Sequence, residues 1–219
     1  MAAPTFQAKG TAANGTGSSI APSYPASVNA YDILIMKVIS YGIGTITPHA
    51  SWSTFKTVYI PFVPASPTFV VQTFWKVANG TETGSETVSR SGHTGSGLFM
   101  AQMYHWRGTS FLSIEDAQTT GGVVSTITWP ALTINGSERT LAAMVVNYSG
   151  SNPGVPTGYS SDASDNASGT YFELNTKSNV SSDGSVTDSS GSANGWATIH
   201  ISFYNNTPAS VSNRSFIVN

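Results

Sequence analysis

The densest apolar stretch of the chain is Leu98 to Gly108, LFMAQMYHWRG. Leu98, Met100, Tyr104 and Trp106 fall on one side of an extended strand, and Phe99, Ala101 and Met103 on the other. A strand apolar on both faces and closed by an Arg-Gly turn belongs between two layers. Tyr31 to Ile39 has the same nearly continuous apolar character and stops at Gly42 and Gly44. Phe69 to Val77 predicts a third strand, ended by the turn signal Asn79-Gly80. Arg139 to Tyr148 and Trp196 to Tyr204 complete the set of buried strands.

The intervening pattern is weaker. Thr5 to Thr11 predicts an edge strand, and Ala12 to Ser19 a loop or arm. Thr47 to Trp52 reads as a turn that delivers its Trp onto a sheet edge. Thr54 to Val63 holds a strand kept from the sheet centre by Pro61, Pro64 and Pro67. Glu86 to Ser89 is short and expected to pair with the Phe69 strand, and Phe111 to Ala117 is expected to be a connection. Val123 to Thr128 alternates as a strand and continues past Trp129 to the turn at Asn135-Gly136. Residues 149 to 169 read as the longest loop, followed by a strand over Thr170 to Thr176 and a polar connection over 178 to 195. This spacing predicts an all-β fold, an antiparallel two-sheet β-sandwich or jelly roll, in a single domain over 1–219. The pattern leaves an N-terminal arm over 1–22 and a C-terminal tail over 206–219. No repeat of fixed period is visible.

Composition strengthens the all-β reading. Charged residues are 9% of the chain, against roughly 25% in an average soluble protein. Ser, Thr and Asn take their place and suit strands and turns better than helices. A net charge of −2 with no basic run argues against nucleic acid as a partner and against a polybasic membrane contact. The longest apolar runs are far short of a membrane span. With no cysteine, neither a disulfide framework nor a thiolate metal site is available. The start MAAPTFQAKG has no basic region leading into an apolar run, so synthesis and folding in a cytoplasm are expected.

No catalytic pattern emerges. His49, His93, His105 and His200 lie in no metal-ligand spacing. A cross-sheet metal pair of His105 and His200 would need carboxylates that neither stretch provides. Glu115-Asp116 is an adjacent acidic pair, whereas glycosidase carboxylates stand roughly 5–9.5 Å apart on facing elements. Asp162, Asp165 and Asn166 are oxygen donors without the EF-hand spacing, so Asx turns explain them. Gly95-Ser96-Gly97 is not a nucleophile elbow. Catalytic, cofactor and metal sites are therefore expected to be absent. Of the five tryptophans, Trp75 and Trp106 are assigned to the core, while Trp52 and Trp129, each beside a proline-containing turn, are placed at a rim where a ring stacks on a glycan. Phe216, Ile217 and Val218 are the candidate interface residues of the tail.

Several segments resemble, in order, a group of bacteriophage virion β-sandwich proteins found as capsid decoration proteins, head fibres and tail-associated modules. They are Ala3-Pro4-Thr5-Phe6 with Gly10-Thr11, Asp32-Ile33-Leu34-Ile35, and Thr47-Pro48 followed by Trp52. Phe74 to Gly80 with Glu86-Thr87-Val88, Tyr104 to Gly108, and Arg139 to Val146 complete the series. Ser51 stands where that group usually has Gly, and residues 54–68 depart from its pattern. The resemblance implies a structural, non-enzymatic role, often as an oligomer on the virion surface. The expectation is a capsid decoration protein, made in the host bacterial cytoplasm and bound as a trimer to the major capsid protein on the outer head. The alternatives are a tail or fibre module that recognises host glycans, and a polysaccharide-degrading domain, against which the missing carboxylate constellation argues.

Overall fold

The structure is a computed structural model that describes residues 2–42, 44–60, 69–92, 97–109, 111–148, 152–167, 169–189 and 195–206. The first half of the chain forms β1 (Thr5–Lys9), β2 (Ala13–Gly15), β3 (Ser19–Ile20), β4 (Ala30–Tyr41), β5 (Thr45–Thr47), β6 (Ser53–Ile60), β7 (Phe69–Asn79), β8 (Val88–Ser91) and β9 (Phe99–Arg107). The second forms β10 (Phe111–Gly122), β11 (Thr126–Trp129), β12 (Arg139–Tyr148), β13 (Ser160–Ala167), β14 (Thr170–Val180), β15 (Val186–Ser189) and β16 (Trp196–Asn206). The fold is all-β and antiparallel, as the pattern predicts.

Two large sheets pack face to face. One runs β1-β9-β4-β7-β6, with β2 also on β9; the other runs β10-β16-β12-β14-β13. Between them lie Ile33, Ile35, Tyr104 and Trp106 against Met144, Leu174, Ile199 and Phe203, and Ile39, Phe69 and Met100 against Val146 and Phe172. Each large sheet also buries its outer face. The small sheet β3-β8-β5 covers Leu34, Met36, Val38, Ala101 and Met103, while β11-β15 covers Leu141, Ala143 and Val145. Four layers explain why the central strands are apolar on both faces.

Several expected loops are strands. Phe111 to Ala117 opens the twelve-residue β10 rather than a connection, and the polar segment 149–169 contains β13. β8 pairs with β3 and β5, not with β7. The N-terminal segment is not a free arm: β1 and β2 both pair with β9, and the Gly10 N–H donates to the Met103 carbonyl at 2.9 Å. Of the C-terminal tail, only Asn206 is described, as the end of β16.

No repeat of fixed period is expected from the sequence, and the topology shows a likeness between the halves that has none: corresponding residues stand at unequal separations along the chain. Each half threads its strands the same way, so that β1-β9-β4-β7-β6 corresponds to β10-β16-β12-β14-β13, and β3-β8 to β11-β15. Through the middle of the strands the register agrees. Phe6↔Trp106 precedes a bulge at Gln7, and Ile114↔Phe203 precedes one at Glu115. Ser53↔Trp75 and Thr54↔Phe74 precede a bulge at Phe55; Ser160↔Thr176 and Ser161↔Asn175 precede one at Asp162. Tyr41 corresponds to Tyr148, and both rings pack on Phe69. Trp106 and its counterpart Phe203 stack on one another, with centroids 4.8 Å apart. The molecule is a pair of like halves that bury one common core.

Candidate functional site

This internal correspondence separates what the architecture demands from what one half alone has. Trp52 N–H donates to the His49 carbonyl at 3.0 Å, and Tyr159 N–H to that of Pro156 at the same distance. Lys76 lies 5.2 Å over the Trp52 ring and Lys177 lies 5.5 Å over that of Tyr159. Each ammonium pairs at 3.2 Å with an acid, Glu82 or Asp183. An aromatic, a lysine and a carboxylate kept at both places act as a clamp between turn and strand. Trp52 is therefore a covered structural ring, 6% exposed, and not a rim platform. Trp129 is 0% exposed, its indole N–H donating to the Met144 carbonyl at 3.0 Å. Neither offers a ring face to a sugar. Phe216, Ile217 and Val218 lie outside the described residues, as does His93.

The remaining candidates are also held by partners. His105 faces the outer side of one large sheet and His200 the outer side of the other, so they form no pair. His105 Nε2 sits 2.7 Å from Asp32, which also takes Arg107 Nη2 at 2.7 Å and the Asn29 N–H at 2.7 Å. Burial alone raises the Asp32 carboxyl's pKa, but Arg107, Asn29 and His105 outweigh it and hold it below the ordinary carboxylate value. His200 Nδ1 lies 2.8 Å from the Pro130 carbonyl and Nε2 lies 2.6 Å from the Tyr159 hydroxyl, which also bonds Asp183. Burial keeps His200 below its usual pKa. Asp162 and Asp165 lie on β13, bound by Thr176 and by Lys9 and Gln102, respectively. Among the described residues, no three His, Cys, Asp or Glu side chains gather to hold a metal.

Among the described residues, one open cleft of about 530 Å³ lies where the β6–β7 edge of one large sheet meets β10 of the other. Phe55, Trp75 and Tyr204 line it with Lys56 and Val77, and the Phe55 and Trp75 rings stand 6.4 Å apart. β6 begins opposite Trp75, so the sheet edge beyond that pair is uncovered and Val77 is 48% exposed. Val77 also borders a second cleft of about 400 Å³ with Tyr24, Lys76 and Glu82. Glu115 and Asp116 reach the first cleft, but their oxygens are engaged. Arg139 Nε and Asn135 N–H donate to Glu115 at 2.8 and 3.0 Å, while Thr133 N–H and Gln118 Nε2 donate to Asp116 at 2.7 and 3.0 Å. The Arg139 guanidinium holds the Glu115 carboxyl below its ordinary pKa.

The corresponding place in the other half has Asp162, Thr176 and Arg107 where the cleft has Phe55, Trp75 and Tyr204, by the same register. The aromatic lining is thus not a requirement of the fold. Trp75, assigned to the core from its apolar strand, does pack against the core between the large sheets, but it is half-buried because β6 begins opposite it. No family model matches the chain, nor does any curated protein or solved structure.

Proposed function

We propose that the chain is a non-enzymatic structural component of a bacteriophage virion, a capsid decoration protein that covers the outer head as a homo-oligomer bound to the major capsid protein. The observation that carries this reading is where the phage-like segments fall. Phe6 packs edge-on against Trp106 at 5.5 Å; Asp32 binds His105 and Arg107; Lys76 caps Trp52; Arg139 pairs with Glu115. The residues that carry the resemblance hold strands and turns to one another, which supports a structural role for them. A low-charge surface supports dense packing of copies, because like-charge repulsion between neighbours is small. Gold-labelled antibody on intact virions, viewed by electron microscopy, tests it. Label over the head is expected; particles without label, with the protein present in infected cells, would sink it.

The aromatic cleft supports a second reading, a tail or fibre module that binds host glycans. Its volume falls within the roughly 300–1,000 Å³ of small-ligand sites, and half-buried rings beside hydrogen-bonding groups suit a sugar's apolar face and hydroxyls. A glycan array read with wild type and Trp75→Ala decides it: micromolar saccharide binding lost in the variant supports recognition, and an array without binding rejects it.

A further inference from the structure

Lys37 is buried between the two large sheets, 1% exposed, and its Nζ has no hydrogen-bond partner among the described residues. Directly opposite it on β9 stands Gln102, also fully buried. Every in-plane position on the Gln102 amide nitrogen is used: Nε2 donates to the Gly10 carbonyl at 3.1 Å and to the Asp165 carboxylate. Its Oε1 accepts from the buried Tyr104 hydroxyl at 2.8 Å. Lys9 anchors Asp165 from the outer side at 2.6 Å. What the amide leaves to an approaching lysine is the face of its carbonyl carbon.

The other half is an internal control. Counted from the shared bulges and cross-strand register, the counterparts of Lys37 and Gln102 are Met144 and Ile199, again directly opposed. Those of Tyr104, Asp165 and Lys9 are Ile201, Val58 and Ala117. Five apolar residues fill the place without difficulty, so the fold does not demand the polar set. Lys37 has the Phe172 ring at 6.0 Å and the charge of Glu173 nearby, but a buried lysine without a hydrogen bond remains costly.

We infer that Lys37 and Gln102 become joined by an isopeptide bond that the folded chain forms by itself. Desolvation by the surrounding core favours the neutral amine, the form that is a nucleophile. Nζ attacks the Gln102 Cδ, and the Tyr104 hydroxyl stabilises the oxyanion that develops on Oε1. One proton from Nζ passes to Nε2, where the Asp165 carboxylate already holds the nitrogen that is to leave. The Cδ–Nε2 bond breaks, ammonia departs, and the Nζ–Cδ amide remains. No oxidant, metal or second substrate enters the balance. Fixed cross-strand placement supplies the effective concentration that a dilute amine lacks.

High-resolution intact mass of the purified full-length protein tests this. Wild type is expected about 17 Da below the mass of its sequence, the mass of ammonia, and Lys37→Met at its full mass. A branched tryptic peptide joining the segments around residues 37 and 102 is expected from wild type alone. Tyr104→Phe, which keeps the shape of the core, is expected to show a smaller cross-linked fraction; an unchanged fraction would remove the role given to the hydroxyl. Wild type at full mass overturns the proposal. So does a deficit that persists in Lys37→Met, which would place it at an Asn-Gly step such as Asn135-Gly136. A loss of about 18 Da would overturn the assignment to Gln102 by placing the bond on a carboxylate.

Discussion

Among the described residues, Asp32 is the carboxylate on the outer face of the first large sheet that gathers a histidine, an arginine and a backbone N–H together. It is 3% exposed and accepts from His105, from Arg107 and from the N–H of Asn29, just before β4. Replacing it by Asn keeps the shape and removes the charge that three donors face, at a cost of about 2–3 kcal/mol near neutral pH. The pH dependence has a definite sign. The folded-state pKa lies below the ordinary 3.8, so the unfolded chain binds the proton more readily. The stability Asp32 contributes is full above that ordinary value and is lost as the pH falls through the folded-state value. Urea midpoints measured from neutral to strongly acidic pH are therefore expected to separate wild type from Asp32→Asn at neutral pH and to converge in acid. A constant gap across the range would show that the carboxylate's charge is not what matters. This cluster was only half legible: His105 reads as a packed strand residue, but nothing in the spacing joins it to a residue in β4.

At the scale of elements, legibility followed burial on both faces. β4, β7, β9, β12 and β16 announce themselves because four layers make their apolar runs nearly continuous. β13, with the sequence SSDASDNA, has no such signal. It is a strand because β14 offers it a free edge and because Ser and Asn satisfy the exposed side. β10 hides in the same way behind Glu115, Asp116 and a run of Thr and Gly. The N-terminal segment looked like an arm for its Gly, Ser and Asn content over Ala12 to Ser19, yet it is docked through a close approach. A Cβ on Gly10 would stand 1.9 Å from the Ser23 carbonyl oxygen, a backbone contact that cannot yield cheaply. Gly10→Ala is expected to cost about 2–3 kcal/mol and to release β1 and β2 from β9. Hydrogen exchange is the measurement: amides of β1 and the outer edge of β9 should lose protection while β12 and β14 keep theirs. Undiminished protection in β1 would mean that the docking does not depend on this glycine.

At the scale of the molecule, the likeness of the two halves was invisible in the sequence because it lies in register and not in identity. Leu34 and Leu141, Val38 and Val145, Tyr41 and Tyr148, Ser53 and Ser160, and Lys76 and Lys177 correspond and agree. Most other corresponding positions differ in type, and the bulges that mark the correspondence have no fixed residue. The same difference hides the aromatic cleft, since Thr176 stands in the second half where Trp75 stands in the first. Two like halves raise the question of whether they are independent. The shared core answers it. Trp106 of the first half is fully buried against Phe203 of the second, and each large sheet would expose its inner apolar face if the other unfolded. Exposing such a face costs about 25 cal/mol per Å², so a half-folded state has no compensating gain. The chain is expected to unfold in a single transition, with tryptophan fluorescence and far-ultraviolet circular dichroism superimposing against denaturant. Trp106→Ala removes a ring from both halves' common interior and is expected to lower stability by about 3–5 kcal/mol while leaving the transition single. Two resolved transitions, with the variant shifting only one, would instead show that the halves fold alone and merely rest against each other.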